Sequence, residues 1–331
     1  MYDRILSYVL STPWAITTEY LALIAEVLAR RIAGHPFTDE EIAARVQAGQ
    51  ERAASRGGAP RVGAVAVLPI LGAILPRSEA MDTSGAVSVQ QLDAAFEALV
   101  ADESVGAIVL DMDSPGGSVG GVAEFAARVF AARERKPVIA LARPMMASAA
   151  YWIGAGAAEL VVTPSALVGA IGVYSAHTDL SEALAKEGVK VTLLGAGAKK
   201  LLGNPFEALS DEGRAEIQKR VDTFYTLFVQ AVARGRGVSQ AAVREGFGQG
   251  GIVNAEEAVK LGMADQVGTL DDAIALAARK AQRSAARAEG FTVRTTDAAN
   301  DDTPAVAVPT SAERGEDLDL RRRRLRAAEA S

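Results

Sequence analysis

The stretch PVIALARPMMASAAYWIGAGA, residues 137–157, decides the fold of this chain. It begins with a short apolar run, Pro137–Ala142, which is typical of a strand buried on both faces. From residue 147 onward small residues dominate, and they predict a helix that packs closely against its neighbours. Ser148 lies where the strand gives way to the helix, next to backbone amides that can stabilise negative charge. Acyl-transfer enzymes often place a nucleophile there, but a serine that only caps the helix gives the same pattern.

The composition is that of a globular protein with a sizeable core. Hydrophobic residues make up 49% of the 331 residues and charged residues 23%, which is ordinary for a soluble protein. The net charge of −6 gives no indication of nucleic-acid binding. Cysteine is absent, which excludes disulfides, thiol catalysis and cysteine-based zinc sites. Two histidines are too few for a histidine-rich metal site, so we expect neither a metal nor a cofactor.

Apolar segments in the sequence are too short to cross a membrane, which takes about 18 consecutive apolar residues. The run from Gly63 to Leu75 contains Pro69 and Gly72, and we interpret it as strand, turn and strand. The stretch Ile5–Leu10 is too short to serve as a signal peptide. We therefore expect a cytoplasmic protein without stable membrane insertion.

The sequence pattern divides the chain into three regions. Residues 1–57 predict a helical arm, in which Thr12-Pro13 starts the first helix. We interpret the arm as a docking or oligomerisation element rather than a membrane-surface helix, because its polar face mixes both charge signs. Residues 58–283 alternate strands with helices, including a strand at Val189–Leu194, and this alternation predicts a parallel sheet with crossover helices. Residues 284–331 lose periodicity and predict a mostly disordered tail.

A glycine pair forms the second feature that could carry chemistry. The sequence DSPGGS, residues 113–118, follows the apolar strand Val105–Leu110 and precedes a predicted helix. Two glycines at such a junction let the backbone approach a ligand with its amides free to donate. The feature could form an oxyanion hole or a phosphate cradle, but it is not a Walker loop because GxxxxGK[ST] is absent. A tight turn before a capped helix is the simpler alternative.

A pair of lysines supplies the third feature. Lys199 and Lys200 lie in an apolar, glycine-rich stretch, and partial burial would lower the pKa of a lysine enough to provide a neutral amine as a base. Alternatively, both are solvent-facing loop charges. A Ser-His-Asp triad would need a histidine, but His35 lies in the predicted arm and His177 has no supporting motif. Serine with lysine is therefore the better-supported pair.

Five segments occur in an order that is similar to the S49 peptidase family, which includes bacterial signal-peptide peptidase A and the phage head maturation proteases. They are DSPGGS at 113–118, ASAAYW at 147–152, VGAIGVY at 168–174, KLLGNPF at 200–206 and ARGRGV at 233–238. The resemblance covers roughly residues 60–280. The Gly-Asn-Pro-Phe segment and the STPWAI sequence from Ser11 most resemble the phage capsid-protease branch.

The resemblance implies an α/β fold of the ClpP/crotonase type, with repeated ββα units, and a Ser-Lys dyad. Carried over by motif, Ser148 is the nucleophile and Lys200 the general base, with Lys199 as the second choice for the base. The backbone amides of Gly117 and Ala149 would form the oxyanion hole.

Further residues are implied as substrate contacts by the same motifs. They are Gly116, Ser118, Gly169 and Ile171. Two departures from the family pattern stand out. Ala170 replaces the serine of the usual Gly-Ser-Ile-Gly segment, which puts a polar contact near the site in doubt. Ser148 is followed by two alanines rather than the two glycines of many signal-peptide peptidases, which favours the phage branch.

The function implied is that of a serine endopeptidase. Within the phage branch its substrates would be scaffold, portal or capsid proteins and the enzyme itself, cleaved in the prohead or host cytoplasm. The resemblance implies a homo-oligomer and suggests a ring. The tail at 284–331 would then begin a scaffold-like extension. Three alternatives stay open: a signal-peptide peptidase-like protease, a crotonase-type acyl-CoA enzyme on the same fold, and a non-catalytic capsid assembly protein.

Overall fold

The structure is a computed structural model that describes residues 12–18, 20, 61–62, 64–77 and 86–297. The chain divides into two units, residues 1–284 and residues 285–331. Most of the predicted arm and the tail from residue 298 onward lie outside the described residues, so the predictions made for them stay predictions.

The elements that follow are those of the described residues, in chain order. The strands are β1 (Trp14–Ile16), β2 (Arg61–Val62), β3 (Val65–Leu71), β4 (Ile74–Leu75), β5 (Val87–Ser88), β6 (Ala107–Ser114), β7 (Gly116–Ser118), β8 (Val138–Ala147), β9 (Glu159–Val162), β10 (Leu167–Gly169), β11 (Ile252–Asn254) and β12 (Gln266–Val267). The helices are α1 (Val89–Ala101), α2 (Val122–Ala132), α3 (Ala149–Gly154), α4 (Ser181–Lys186), α5 (Asp211–Arg236), α6 (Gln240–Gly246), α7 (Ala255–Lys260) and α8 (Leu270–Asp297), with a 3-10 turn at Gly248–Gly250.

A mainly parallel sheet of eight strands forms the centre of the fold. Its principal order is β11-β10-β8-β6-β3-β2, while β9 pairs with β8 and β12 pairs with β9. Strands β3, β6, β8, β9, β10 and β12 run parallel to their neighbours within this group, and β2 and β11 add antiparallel edges. The prediction of a parallel α/β sheet is therefore confirmed.

A second sheet has four strands, in the order β1-β7-β4-β5. In β6-β7-α2 the first strand enters the main sheet, the second enters the small sheet, and a helix follows. The segment β3-β4-β5-α1 repeats this order, with the two-residue β5 as an additional strand of the small sheet. These are repeated ββα units, as the family resemblance implied. Each repeat brings the end of a buried strand and the start of a helix to the same edge of the molecule.

Helices cover both faces of the main sheet. In β6, Ile108 and Leu110 belong to the large core shared with α1, α2, α3 and α5, whereas Ala107 and Val109 belong to the core under α8. Burial on both faces explains why this strand reads as a continuous apolar run. Helix α8 extends to Asp297, beyond the point where the apolar periodicity fades, and its sequence is rich in alanine and arginine, which are strong helix formers.

Three local predictions are wrong. Trp14–Ile16, directly after the predicted helix start, is a strand, because pairing with β7 overrides the helical signal of Thr12-Pro13. Residues 189–194 form no strand and are largely exposed. The glycine pair of DSPGGS is not a tight turn but strand β7 of the small sheet.

Candidate active site

Ser148 occupies a strained turn between β8 and α3. Its backbone has φ 54° and ψ −118°, a conformation that side-chain-bearing residues rarely adopt. The Ser148 amide donates to the Gly169 carbonyl at 2.7 Å, and its carbonyl accepts from the Trp152 amide at 2.9 Å. Strained backbone of this kind persists where the surroundings enforce it, and it clusters at functional sites.

The hydroxyl of Ser148 is buried and unused by the protein. The residue is 1% exposed, and among the described residues its Oγ has no hydrogen-bond partner. It makes no capping bond to α3, so the interpretation of Ser148 as a helix cap is wrong. A buried hydroxyl without a partner costs about 1–3 kcal/mol. Such a group calls for an explanation, and a role in chemistry is one.

Glycine is required in β7 because this strand passes directly beside Ser148. Gly116 has φ +96°, and a Cβ on it would lie 2.3 Å from the Ala15 carbonyl oxygen and 2.8 Å from the Ser148 Cβ. A Cβ on Gly117 would lie 1.8 Å from the Ile74 carbonyl oxygen. Both contacts are too short for any side chain, so the glycines permit the approach of backbone to Ser148.

Strand β1 pairs with β7 on the side opposite β4. The two strands are antiparallel, with Ala15 opposite Gly117. On its other side, the Trp14 amide donates to the Tyr174 carbonyl at 2.8 Å and the Tyr174 amide donates back at 2.9 Å. All three residues of β1 are buried. The chain thus threads an extended segment between β7 and residue 174.

The residues expected for the oxyanion hole and for substrate contact mostly come together. Ala149 is the first residue of α3, so its amide has no acceptor within the helix, and Gly117 lies in the strand beside Ser148. Gly169 receives the hydrogen bond of the Ser148 amide. The remaining expected contacts are Gly116, which borders Ser148, and Ser118 and Ile171, which are buried.

Neither lysine reaches Ser148. Lys199 and Lys200 are both exposed in a turn before α5. The Nζ of Lys199 lies 2.6 Å from the Glu216 carboxylate, whose hydrogen bond raises the pKa of Lys199 and disfavours the neutral amine. Since the Ser148 hydroxyl has no partner among the described residues, it does not bond Lys200 either. His177 is likewise engaged elsewhere, with Nε2 3.0 Å from the Asn204 carbonyl oxygen.

An acidic pair near the end of β6 lies beside an arginine in the middle of β8, and the sequence motifs did not predict this arrangement. Arg143 donates to the buried Asp111 through two nitrogens, with Nε 3.1 Å from Oδ1. Partial desolvation raises the pKa of Asp113, although its side chain is exposed, the negative charge of Asp111 adds to that rise, and the charge of Arg143 opposes it. Two aspartates that alternate at the end of a buried strand were the available signal. The Arg143–Asp111 pair joins β6 to β8, the strand that ends directly before Ser148.

Comparisons with known proteins identify the relatives of this chain. The model of peptidase family S49 matches residues 131–284. Capsid assembly protease C of Escherichia phage lambda is 36% identical over 238 residues, which are 70% of this chain and 54% of that protein. Head-tail preconnector protein GP5 of Enterobacteria phage P21 is 34% identical over 66% of this chain and 43% of that protein. The resemblance to the family and to its phage branch is therefore confirmed.

The chain spans about half of the length of these two relatives. A solved structure of a mutant of the 1510-N membrane-bound stomatin-specific protease superposes with a TM-score of 0.40 at 17% identity, over 63% of this chain and 81% of that one. Within the part of the chain that the structure describes, no helix combines the length and apolarity needed to cross a membrane.

Proposed function

Starting from the relationship to peptidase family S49, we propose that this chain is a serine endopeptidase in which Ser148 is the nucleophile and Lys200 the general base. One observation carries the proposal: the Ser148 hydroxyl is buried, without a partner among the described residues, and held in a strained turn beside a glycine strand. A residue that only supported the fold would have little reason to retain an unsatisfied hydroxyl on a strained backbone.

The reaction would begin when neutral Lys200 takes the proton from the Ser148 Oγ, which then attacks the carbonyl carbon of the scissile peptide bond. The backbone amides of Gly117 and Ala149 would bind the oxyanion of the tetrahedral intermediate, and each such donor lowers the barrier by a few kcal/mol. Protonated Lys200 would pass the proton to the departing amine as the C–N bond breaks. Water then attacks the ester on Ser148 and releases the second product.

Lys200 must move, or be supplied by a second copy of the chain, before it can act. The ammonium group of an exposed lysine is well hydrated, and burial beside Ser148 would favour the neutral form. Lys200 is the better candidate of the two, because Lys199 is already paired with Glu216. We infer that the dyad forms only when substrate or a neighbouring subunit closes the turn over Ser148.

The substrates we propose are extended segments of phage head proteins: scaffold, portal and capsid proteins, and the chain itself. An extended peptide can add to β7 as a strand, which gives affinity through backbone hydrogen bonds and leaves selectivity to side-chain pockets. The small residues around Ser148 leave space for backbone and favour a small or apolar side chain at the cleaved position. The names of the two phage relatives, a capsid assembly protease and a head-tail preconnector protein, support this substrate class.

The test uses the full-length chain and the variants Ser148→Ala, Lys200→Ala and Lys199→Ala. Wild type should react with a fluorophosphonate probe at Ser148 and cleave casein, whereas the first two variants should lose at least about 1,000-fold of the cleavage rate. Lys199→Ala should retain most of the activity, since Lys199 is engaged by Glu216. The proposal fails if the folded wild type is neither labelled nor active, or if Ser148→Ala cleaves at the wild-type rate.

A further inference from the structure

Strand β1 lies where a substrate peptide would add to the sheet. It runs antiparallel to β7, the strand that carries the proposed oxyanion donor, and Trp14 exchanges two backbone hydrogen bonds with Tyr174 on the opposite side. An extended segment held between two backbone partners, next to a nucleophile, is the arrangement expected of a bound peptide. Here the segment belongs to the chain itself.

The register of the two strands directs one β1 carbonyl at the proposed oxyanion donor. In an antiparallel pair every second residue pair exchanges backbone hydrogen bonds. Thr17 donates its amide hydrogen to the Pro115 carbonyl at 3.1 Å. Ala15 precedes Thr17 by two residues, and Gly117, which lies opposite Ala15, follows Pro115 by two residues. Ala15 and Gly117 are therefore also a hydrogen-bonded pair. The Gly117 amide therefore faces the carbonyl of Ala15.

The same carbonyl lies near the nucleophile, on the far side of Gly116. A Cβ on Gly116 would meet both the Ala15 carbonyl oxygen, at 2.3 Å, and the Ser148 Cβ, at 2.8 Å. Ser148 is 1% exposed, and its Oγ has no partner among the residues that the structure describes. A peptide that adds to β7 beside this nucleophile needs the place that β1 now occupies between β7 and Tyr174.

We propose that the groove between β7 and Tyr174 is a peptide-binding site and that Trp14–Ile16 is its intramolecular ligand, which must leave before substrate can bind. The inference rests on the proposed function, whose reacting groups it adjoins. The resident segment also defines the ligand class. It places a small residue, Ala15, opposite Gly117, with a large aromatic residue before it and a β-branched residue after it. Peptides of the type aromatic, small, β-branched are expected to compete for the groove.

The first test weakens the docking of β1 without adding a polar group. Ile16→Ala removes apolar contacts of a buried β1 residue, so the docked state becomes less favourable and fluorophosphonate labelling of Ser148 should become about tenfold faster. The matched control is Ile139→Ala, which removes the same atoms from a buried residue in the core under α8. That variant should lower the unfolding temperature without accelerating labelling.

Each outcome of this comparison decides the proposal. Faster labelling of Ile16→Ala alone supports it. Equal or slower labelling of a folded Ile16→Ala overturns it, because β1 would then be a structural strand that does not limit access. Failure of Ile16→Ala to fold while Ile139→Ala folds also overturns it, because the fold would then depend on β1.

The second test leaves β1 unaltered and follows Trp14 by fluorescence. The chain has two tryptophans, so Trp152→Phe leaves Trp14 as the sole emitter, and Ser148→Ala prevents turnover. The probe is the peptide acetyl-Thr-Pro-Phe-Ala-Ile-Thr-Thr-amide, which copies residues 12–18 with phenylalanine in place of tryptophan. Buried Trp14 should resist acrylamide quenching until the peptide displaces β1, after which quenching should rise severalfold and saturate.

The two readouts separate this inference from the proposed function. If Ser148 is never labelled in any variant but the peptide still exposes Trp14, the peptidase proposal fails, while the proposal that the groove binds peptides is supported. If Ser148 is labelled and casein is cleaved while Trp14 stays protected at saturating peptide, the peptidase proposal is supported. The proposal that β1 is a displaceable ligand of the groove is then overturned.

Discussion

At the scale of single residues, Ser148 combines two unfavourable features that a purely structural residue would not retain. Its φ of 54° is strained for a residue with a side chain, and its buried hydroxyl lacks a partner among the described residues. Strain of this kind typically costs about 1–3 kcal/mol. The turn between β8 and α3 therefore gives up stability at the position where the proposed chemistry occurs.

Replacing Ser148 should stabilise the protein. Ser148→Gly relieves the backbone strain, and we expect the free energy of unfolding to rise by about 1 kcal/mol. Ser148→Ala removes only the unpartnered hydroxyl, so it should be neutral or slightly stabilising. Urea unfolding at pH 7 measures both variants against wild type. A loss of more than about 1 kcal/mol in either would show that the hydroxyl has a structural partner.

Asp113 should make the protein less stable as the pH rises. Its pKa in the folded chain lies above the ordinary 3.8, through partial desolvation first and the charge of Asp111 second. Because the side chain is exposed, solvent screens the effect, and we expect its contribution to stability to be small. Protonation is thus favoured by folding, so this contribution to stability is complete below pH 3.8 and is lost as the pH rises through the folded-state pKa.

Asp113→Asn removes this dependence. The variant should match wild type in stability near pH 3.5 and exceed it slightly at pH 7, because asparagine places no negative charge beside Asp111. Urea unfolding of both proteins across this range isolates the effect, since the other titrating groups cancel in the difference. A difference that does not change with pH would contradict the assignment.

At the scale of elements, the position of Ser148 depends on how α3 packs against α5. Trp152 of α3 stacks on Phe228 of α5, with ring centroids 4.6 Å apart. A few turns later Gly235 meets the end of α3 so closely that a Cβ would lie 2.0 Å from the Ala155 carbonyl oxygen. The long helix α5 therefore holds the helix that begins directly after the proposed nucleophile.

Gly235→Ala should separate these two helices. The added methyl group cannot fit against Ala155, so we expect a loss of about 2 kcal/mol in the free energy of unfolding and slower labelling of Ser148. Gly246→Ala in α6 is the matched control, because no atom lies within 4 Å of its Cβ position. The control should be neutral or stabilising by a few tenths of a kcal/mol. Equal effects of the two substitutions would refute the packing argument.

The apolar pattern of the sequence predicts those elements whose own residues show a strand or helix pattern. The buried strands around Ile108 and Ile139 are continuous apolar runs, and the repeat of strand and helix leaves a parallel α/β sheet as the natural solution. Elements that form only because distant residues supply their hydrogen bonds cannot be predicted from the local sequence pattern. Strand β1 is three residues long and exists because β7 and Tyr174 supply its hydrogen bonds, which nothing within residues 12–18 reveals.

The candidate site divides in the same way. Ser148, Ala149 and Gly117 follow from local junctions of strand and helix, and these junctions meet in the structure. The lysine could not be placed from sequence, because it lies in an exposed turn whose position no strand or helix signal determines. The Arg143–Asp111 pair requires β6 and β8 to be neighbours, which only the sheet order supplies.

At the scale of the whole molecule, the turn with Lys200 belongs to a segment that is poorly covered. Val189 and Val191 are exposed apolar residues in this segment, and Leu194 is 93% exposed. Exposed apolar residues that cluster in this way mark interaction surfaces. We therefore expect a second copy of the chain to cover the segment and to bring the lysine of one subunit to Ser148 of the other.

Mixed subunits test this expectation. Ser148→Ala and Lys200→Ala chains, each inactive alone, should recover casein cleavage to roughly a quarter of the wild-type rate when they are co-expressed with different tags and purified as a mixed assembly. Recovery follows because some sites combine an intact serine with an intact neighbouring lysine. A mixed assembly without activity would show that both groups act within one chain.

The pairing of β1 with β7 has a consequence for reaction order. Both strands belong to one covalent chain, so their association is a unimolecular equilibrium whose position is the same in dilute and in concentrated solution. A separate inhibitor peptide would dissociate as the protein is diluted, but this segment stays at a fixed effective concentration beside its groove. Among chains that are already assembled, the delay set by the release of β1 should accordingly have the same length at every enzyme concentration, whereas activation by one assembly cutting another would shorten as the concentration rises.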